Sequence, residues 1–117
     1  MKGLNYKPII DAAGKFLPWV TALGKASGAY IIKSARGGAT LYVGESHTGN
    51  LAKTLKRHFW AWADTPERKH HTYNPRLVLV AVRLTPQKSA TTAQDNLILR
   101  LKPRDNQTNP AANEDPY

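Results

Sequence analysis

One stretch restricts this chain more than any other: residues 28–59, where a two-residue alternation gives way to a helical period. Residues 29–34 and 40–44 are rich in β-branched and aromatic side chains, and Arg36, Gly37 and Gly38 between them carry a turn signal. The chain then reaches Asn50, a good helix N-cap, after which Leu51, Leu55, His58, Phe59 and Trp62 recur at helical spacing. The expected unit is a hairpin followed by a helix over 50–63. Alternation puts Tyr30 and Ile32 on one face of the first strand and Ala29, Ile31 and Lys33 on the other. In the second strand Thr40 and Tyr42 share a face, opposite Leu41 and Val43. Both tyrosines then point to one side of the hairpin, beside glycines that permit close backbone approach.

The helix separates into two sides. Leu51, Leu55, Phe59 and Trp62 form an apolar stripe, with His58 inside it and Thr54 on its edge. A histidine there is either a satisfied core residue or a member of a site. Lys53, Lys56 and Arg57 lie opposite, as a solvated face or as contacts to phosphate.

The flanking segments complete a single α/β domain. Residues 1–26 read as an N-terminal helical extension: a short polar arm, then a loose helical pattern through Ile9, Ile10, Phe16, Leu17, Val20 and Leu23, kinked at Pro18. Residues 64–74 form a polar loop. Its adjacent His70 and His71 would not both face one metal, while Arg68, Lys69 and Tyr73 are placed to reach a nucleic acid. Residues 76–84 are nearly unbroken in apolar character, which predicts a central strand buried on both faces and covered by helices on each side. A second helix follows, capped at Ser89 and stopped by Pro103, with Ala90, Ala93, Gln94, Leu97, Ile98 and Leu101 on one stripe. Gln94 is the anomaly, because a polar group there costs stability unless it is bonded or faces a site. Residues 107–117 read as a loosely ordered tail.

Charge points to the partner. Lysine and arginine number 17 against 8 acidic residues, for a net charge of +9 and a pI near 10.0. That balance favours a polyanion, nucleic acid first. The chain has no cysteine, which excludes disulfides and thiolate metal sites and fits a reducing compartment. With no apolar signal core and no run long enough for a membrane span, the expectation is a soluble, cytoplasmic protein.

Gly28-Ala29-Tyr30, a hairpin before Tyr42-Val43-Gly44, resembles the paired signature of the GIY-YIG nuclease family. Asn50-Leu51, Thr54-Leu55 and His58 are similar to that family's first helix, with Thr54 where the family keeps an arginine. Further on, Gln94 precedes Leu97-Ile98, Lys102-Pro103 and Asn106 as the family's metal-binding glutamate precedes its own apolar pair, Lys-Pro and asparagine. The resemblance covers residues 27–106. It implies a sheet of about three mostly antiparallel strands flanked by helices, and one concave site surrounded by Tyr30, Tyr42, His58, Gln94 and Asn106, with Thr54 at the catalytic arginine's position. It also implies hydrolysis of a phosphodiester of double-stranded DNA with one divalent metal, magnesium, held at the position of Gln94. Tyr30 would activate or position water, Tyr42 and His58 would complete the proton network, and Asn106 would brace the second helix or the site. Lys53, Lys56, Arg57, Arg68 and Lys69 would contact DNA. An amide is a poor ligand for a hard cation, and threonine cannot clamp a phosphate bidentately, so the expected enzyme is impaired or inactive. The alternatives are a basic DNA-binding module on the same fold, and an RNA-binding or protein-interaction domain.

Overall fold

The computed structural model describes residues 4–60 and 73–106. Three strands form one antiparallel sheet: β1 (Gly28–Ser34), β2 (Thr40–Ser46) and β3 (Val78–Leu84), in the order β2-β1-β3. Helix α1 (Pro18–Ala22) precedes the hairpin, α2 (Leu51–Trp60) follows it, and α3 (Gln87–Leu101) follows β3.

The sheet divides the core into two layers, as the alternation in β1 requires. Tyr30 and Ile32 face one layer with Ile9, Val20, Leu51, Leu55, Phe59 and Val80, under α1 and α2. Ala29 and Ile31 face the other with Val43, Ala81 and Leu97, under α3. A register shift between Ile32 and Lys33 sets Tyr42 opposite Ile32 and Thr40 opposite Lys33, leaving Leu41 as the extra residue. Leu41 consequently packs on the same side as Tyr42 rather than with Val43.

The central strand is β1, not the apolar run of residues 78–84 that the sequence favours for that place. β3 reads as a doubly buried strand because helices cover both its faces and because its outer edge is also occupied. Lys7 N–H donates to Val80 C=O and Val80 N–H to Lys7 C=O, both at 2.9 Å. That pairing makes residues 4–10 part of the domain rather than a separate arm.

The expected N-terminal helical extension reduces to the five residues of α1. Pro18 opens this helix instead of kinking a longer one, in keeping with its preference for a first turn. Before it, Ile9 and Leu17 are joined by a hydrogen bond of 2.7 Å across a turn in which Asp11 Oδ1 accepts from the N–H groups of Ala13 and Lys15. Aspartate and glycine turn chemistry outweighs the weak helical period here. Helix α2 is tied to this segment: Leu51 N–H donates to Ala26 C=O at 3.0 Å and Ala52 N–H to Gly24 C=O at 3.3 Å. Two helix-terminal donors are thus met by backbone from another part of the chain. The end of the expected helix 50–63, with Trp62, lies outside the described residues, as do the loop with Arg68, Lys69, His70 and His71 and the tail 107–117.

Helix α3 begins earlier than Ser89 suggests and ends at Lys102, which is left-handed (φ 48°) and donates its N–H to Ile98 C=O at 2.8 Å. The reversal delivers Pro103 into the core and Asn106 to the sheet. A side chain bearing Cβ is strained in that conformation. Lys102→Gly is therefore expected to raise stability by roughly 0.5–1 kcal/mol, part of the relief being offset by the freer unfolded chain. A rise in the urea midpoint at constant m-value checks this.

Candidate functional site

The site grows from the pairing of Tyr30 with Gly44. These residues are cross-strand partners, and a Cβ built on Gly44 would overlap Tyr30 Cζ and Oη. The phenol therefore lies over the bare backbone of β2, buried to 2% exposure, with its hydroxyl carried toward α2. There it meets His58 Nε2 at 2.7 Å. Gly28 is held to glycine for a related reason, since a Cβ there would overlap Arg83 C=O on β3. The glycine of each strand motif is thus a steric requirement.

Around the Tyr30–His58 bond the rings close into a cluster. The Tyr42 ring stands 4.9 Å from the His58 ring and 6.4 Å from Tyr30, and the Tyr73 ring stands 6.1 Å from His58. Tyr42 and His58 are half-buried and form the exposed side of the cluster, whereas Tyr30 and Tyr73 lie behind them. Burial holds the Tyr30 hydroxyl protonated far above the ordinary tyrosine range. Tyr42 and the charge of Glu45 push the same way, and Arg57 opposes them. The hydroxyl keeps its proton and shares a hydrogen bond with His58 Nε2 whose direction follows the imidazole tautomer. Tyr30 therefore orients His58 and is not itself a base.

Tyr73 departs from the expectation of a DNA-contacting loop residue. It is 6% exposed, its N–H donates to His58 C=O at 2.8 Å, and its hydroxyl donates to Asp105 Oδ2 at 2.6 Å. Arg104 binds the same carboxylate through Nε and Nη2 at 2.7 and 2.8 Å. Asp105 escaped the sequence reading because its partner is 32 positions away and no local pattern links them.

Asn106 braces the site through the main chain. Its Oδ1 accepts from Val43 N–H at 2.6 Å and its Nδ2 donates to Val43 C=O at 3.0 Å. A side-chain amide thus imitates one residue of a neighbouring strand along the outer edge of β2, next to Tyr42.

Of the residues expected around one concave site, Tyr30, Tyr42 and His58 lie together and Asn106 holds the edge of β2 beside Tyr42. Gln94 is half-buried on α3, which covers the face opposite the cluster. It lies one turn beyond Thr91, whose hydroxyl reaches Glu45 Oε2 at 3.4 Å, and so flanks β2 from the other side. Thr54 sits one turn before His58, half-buried. The carboxylates of Asp105 and Glu45 are both engaged, Asp105 as above and Glu45 with His47 Nδ1 at 3.1 Å. Among the described residues no group of three or more histidine, aspartate or glutamate side chains is placed to hold a metal ion. The residues at hand, with an amide at position 94, do not fit the magnesium site that the resemblance implies.

Of the cations expected to touch DNA, Lys53 and Arg57 are exposed on α2. Lys56 is not free to the same degree: its Nζ donates to Thr21 Oγ1 at 3.3 Å and stands over the Phe16 ring, bridging α2 to α1. No described helix is long and apolar enough to cross a membrane. No model of a known protein family matches the chain, and no curated protein matches it.

Two outcomes follow from this geometry. Gly44→Ala must displace a buried ring, and is expected to cost about 1–3 kcal/mol and to break the Tyr30–His58 bond, read as a lower denaturation midpoint and a shifted His58 ring resonance. The second concerns alkali. Below pH about 10 Tyr30 is protonated in both folded and unfolded chains; above it only the unfolded chain ionises, so stability falls as pH rises. Tyr30→Phe should flatten that fall without abolishing it, because burial also raises Tyr6. Tm measured from pH 7 to pH 11 tests the difference.

Proposed function

We propose that this chain is a duplex-DNA-binding protein on a GIY-YIG nuclease scaffold, whose hydrolytic centre keeps its aromatic half and lacks its charged half. The observation that carries the reading is the 2.7 Å bond between Tyr30 and His58, seated over Gly44 and framed by Tyr42. A Y-x-G glycine that exists to admit the tyrosine of the neighbouring G-x-Y ties the two halves of the paired motif into one device. Support also comes from the antiparallel three-stranded sheet and the net charge of +9.

On this reading Tyr42 and His58 face the phosphodiester, and His58 takes a proton from water at Nδ1 when its Nε2–H donates to Tyr30. Tyr30 holds the imidazole in register from behind. Thr54 offers no guanidinium to a phosphate on the helix face of His58, and Gln94 offers no carboxylate. Lys53 and Arg57 supply backbone contacts from the exposed side of α2.

The test is a pair of measurements on the full chain. Binding of a random 20-base-pair duplex should weaken steeply with salt, because each neutralised phosphate releases counterions. Nicking of supercoiled plasmid with magnesium should be slow or absent, since losing one preorganised charge partner costs about 10²–10³ in rate. Combining Gln94→Glu with Thr54→Arg is expected to produce measurable nicking, the two half-sites meeting around the edge of β2. Failure of the unaltered chain to bind duplex DNA would overturn the reading. Brisk cleavage by it would overturn the assignment of a reduced centre.

A further inference from the structure

A groove of about 340 Å³ runs between β3 and α3, on the sheet face away from the tyrosine–histidine cluster. Its lining has a consistent chemical character. Arg83 enters from β3, on the same face as Ala81 and Ala29. From α3 come Lys88, then Ser89, Thr92, Asn96 and Arg100, the last four spaced at i, i+3, i+7 and i+11 along one side of the helix. These are cations and neutral donors, and Ala93 and Leu97 line the groove between them. No carboxylate lines the groove, and Asp95 of the same helix is not part of it. Among the described residues Arg83, Lys88 and Arg100 make no salt bridge. Three cations with no carboxylate among them give the groove a positive potential that favours an anion.

The shape narrows the ligand. Lys88 and Arg100 are about 18 Å apart along the helix axis, at 1.5 Å per residue. A single phosphate cannot meet cations at both ends of such a groove. A B-form strand carries a phosphate about every 3.4 Å of axis and meets them at successive positions. Hydroxyl and amide donors between the cations suit phosphate oxygens, which need no base identity.

We propose that this groove is a second nucleic-acid contact, seating a length of phosphodiester backbone against Arg83, Lys88 and Arg100. The ligand rests on the duplex-binding reading above; the site itself is independent of the cluster and lies on the other layer. Duplex bound here and on α2 would contact both layers of the domain, by two strokes of one bent duplex or by two duplexes.

The experiment combines Arg83→Gln, Lys88→Gln and Arg100→Gln in the full chain and measures affinity for the random duplex across a salt series. The slope of log affinity against log salt should shrink by about 2.7, at roughly 0.9 per lost phosphate contact, with affinity down at least about tenfold at low salt. If the triple variant does not fold, the exposed singles Lys88→Gln and Arg100→Gln should each remove about 0.9 from the slope. Unchanged slope and affinity in these variants would overturn the proposal, while loss through Lys53→Gln with Arg57→Gln alone would confine DNA to α2. Should the unaltered chain bind no duplex, the reading of function fails, and tripolyphosphate is titrated against the amide resonances of Thr92 and Asn96. A response there that the triple variant lacks would replace backbone binding with a free polyphosphate site, and no response would remove the groove as a phosphate site.

Discussion

The fold depends on one ring lying across one glycine. Tyr30 sits on the central strand, between β2 and β3, and its phenol can reach α2 only because Gly44 has no side chain. That contact fixes the register of the hairpin, since sliding β2 by one residue would set Val43 or Glu45 against the ring. It also fixes α2, because the hydroxyl arrives where His58 can receive it. A packing constraint and a polar one coincide in the same residue. Burying the phenol is tolerable because His58 satisfies its hydroxyl, and His58 is tolerable on an apolar stripe because Tyr30 does the same for it.

The layer behind His58 repeats this logic with different groups. Tyr73 closes the cluster from the far side and passes its hydroxyl to Asp105, whose charge is met by the fork of Arg104. Asp105 and Asn106 are adjacent, so one short turn after α3 serves both the cluster, through Tyr73, and the edge of β2, through Val43. The left-handed Lys102 makes that turn possible by ending the helix abruptly.

Much of this was legible in the sequence, and the reasons for the exceptions are physical. The faces of β1 and the shared side of Tyr30 and Tyr42 follow from period two, while the grouping of His58 with them is implied by the family resemblance. Strand order did not follow, because continuous hydrophobicity reports burial on both faces, and the pairing of Lys7 with Val80 gives an edge strand the environment of a central one. The apolar spacing of segment 8–17 imitates a helix, while Asp11 and its neighbours build a turn. Gln94 is legible as an oddity on its stripe, but helix periodicity gives the face of a residue and not the side of the sheet on which its helix packs. The tie between Tyr73 and Asp105 had no sequence signal at all.

Asn106 and Lys7 have a consequence beyond the site. A three-stranded sheet has two open edges, and each presents unpaired backbone groups to any passing strand. Among the described residues, each is met near its middle by a foreign residue: the Asn106 amide on Val43 and the Lys7 peptide on Val80. An approaching strand would have to displace one of them before it could add to the sheet. The domain thus resists lengthwise stacking with other chains by stoppering its margins rather than by charging them, and the stopper on the β2 margin is also the residue that steadies the backbone beside Tyr42.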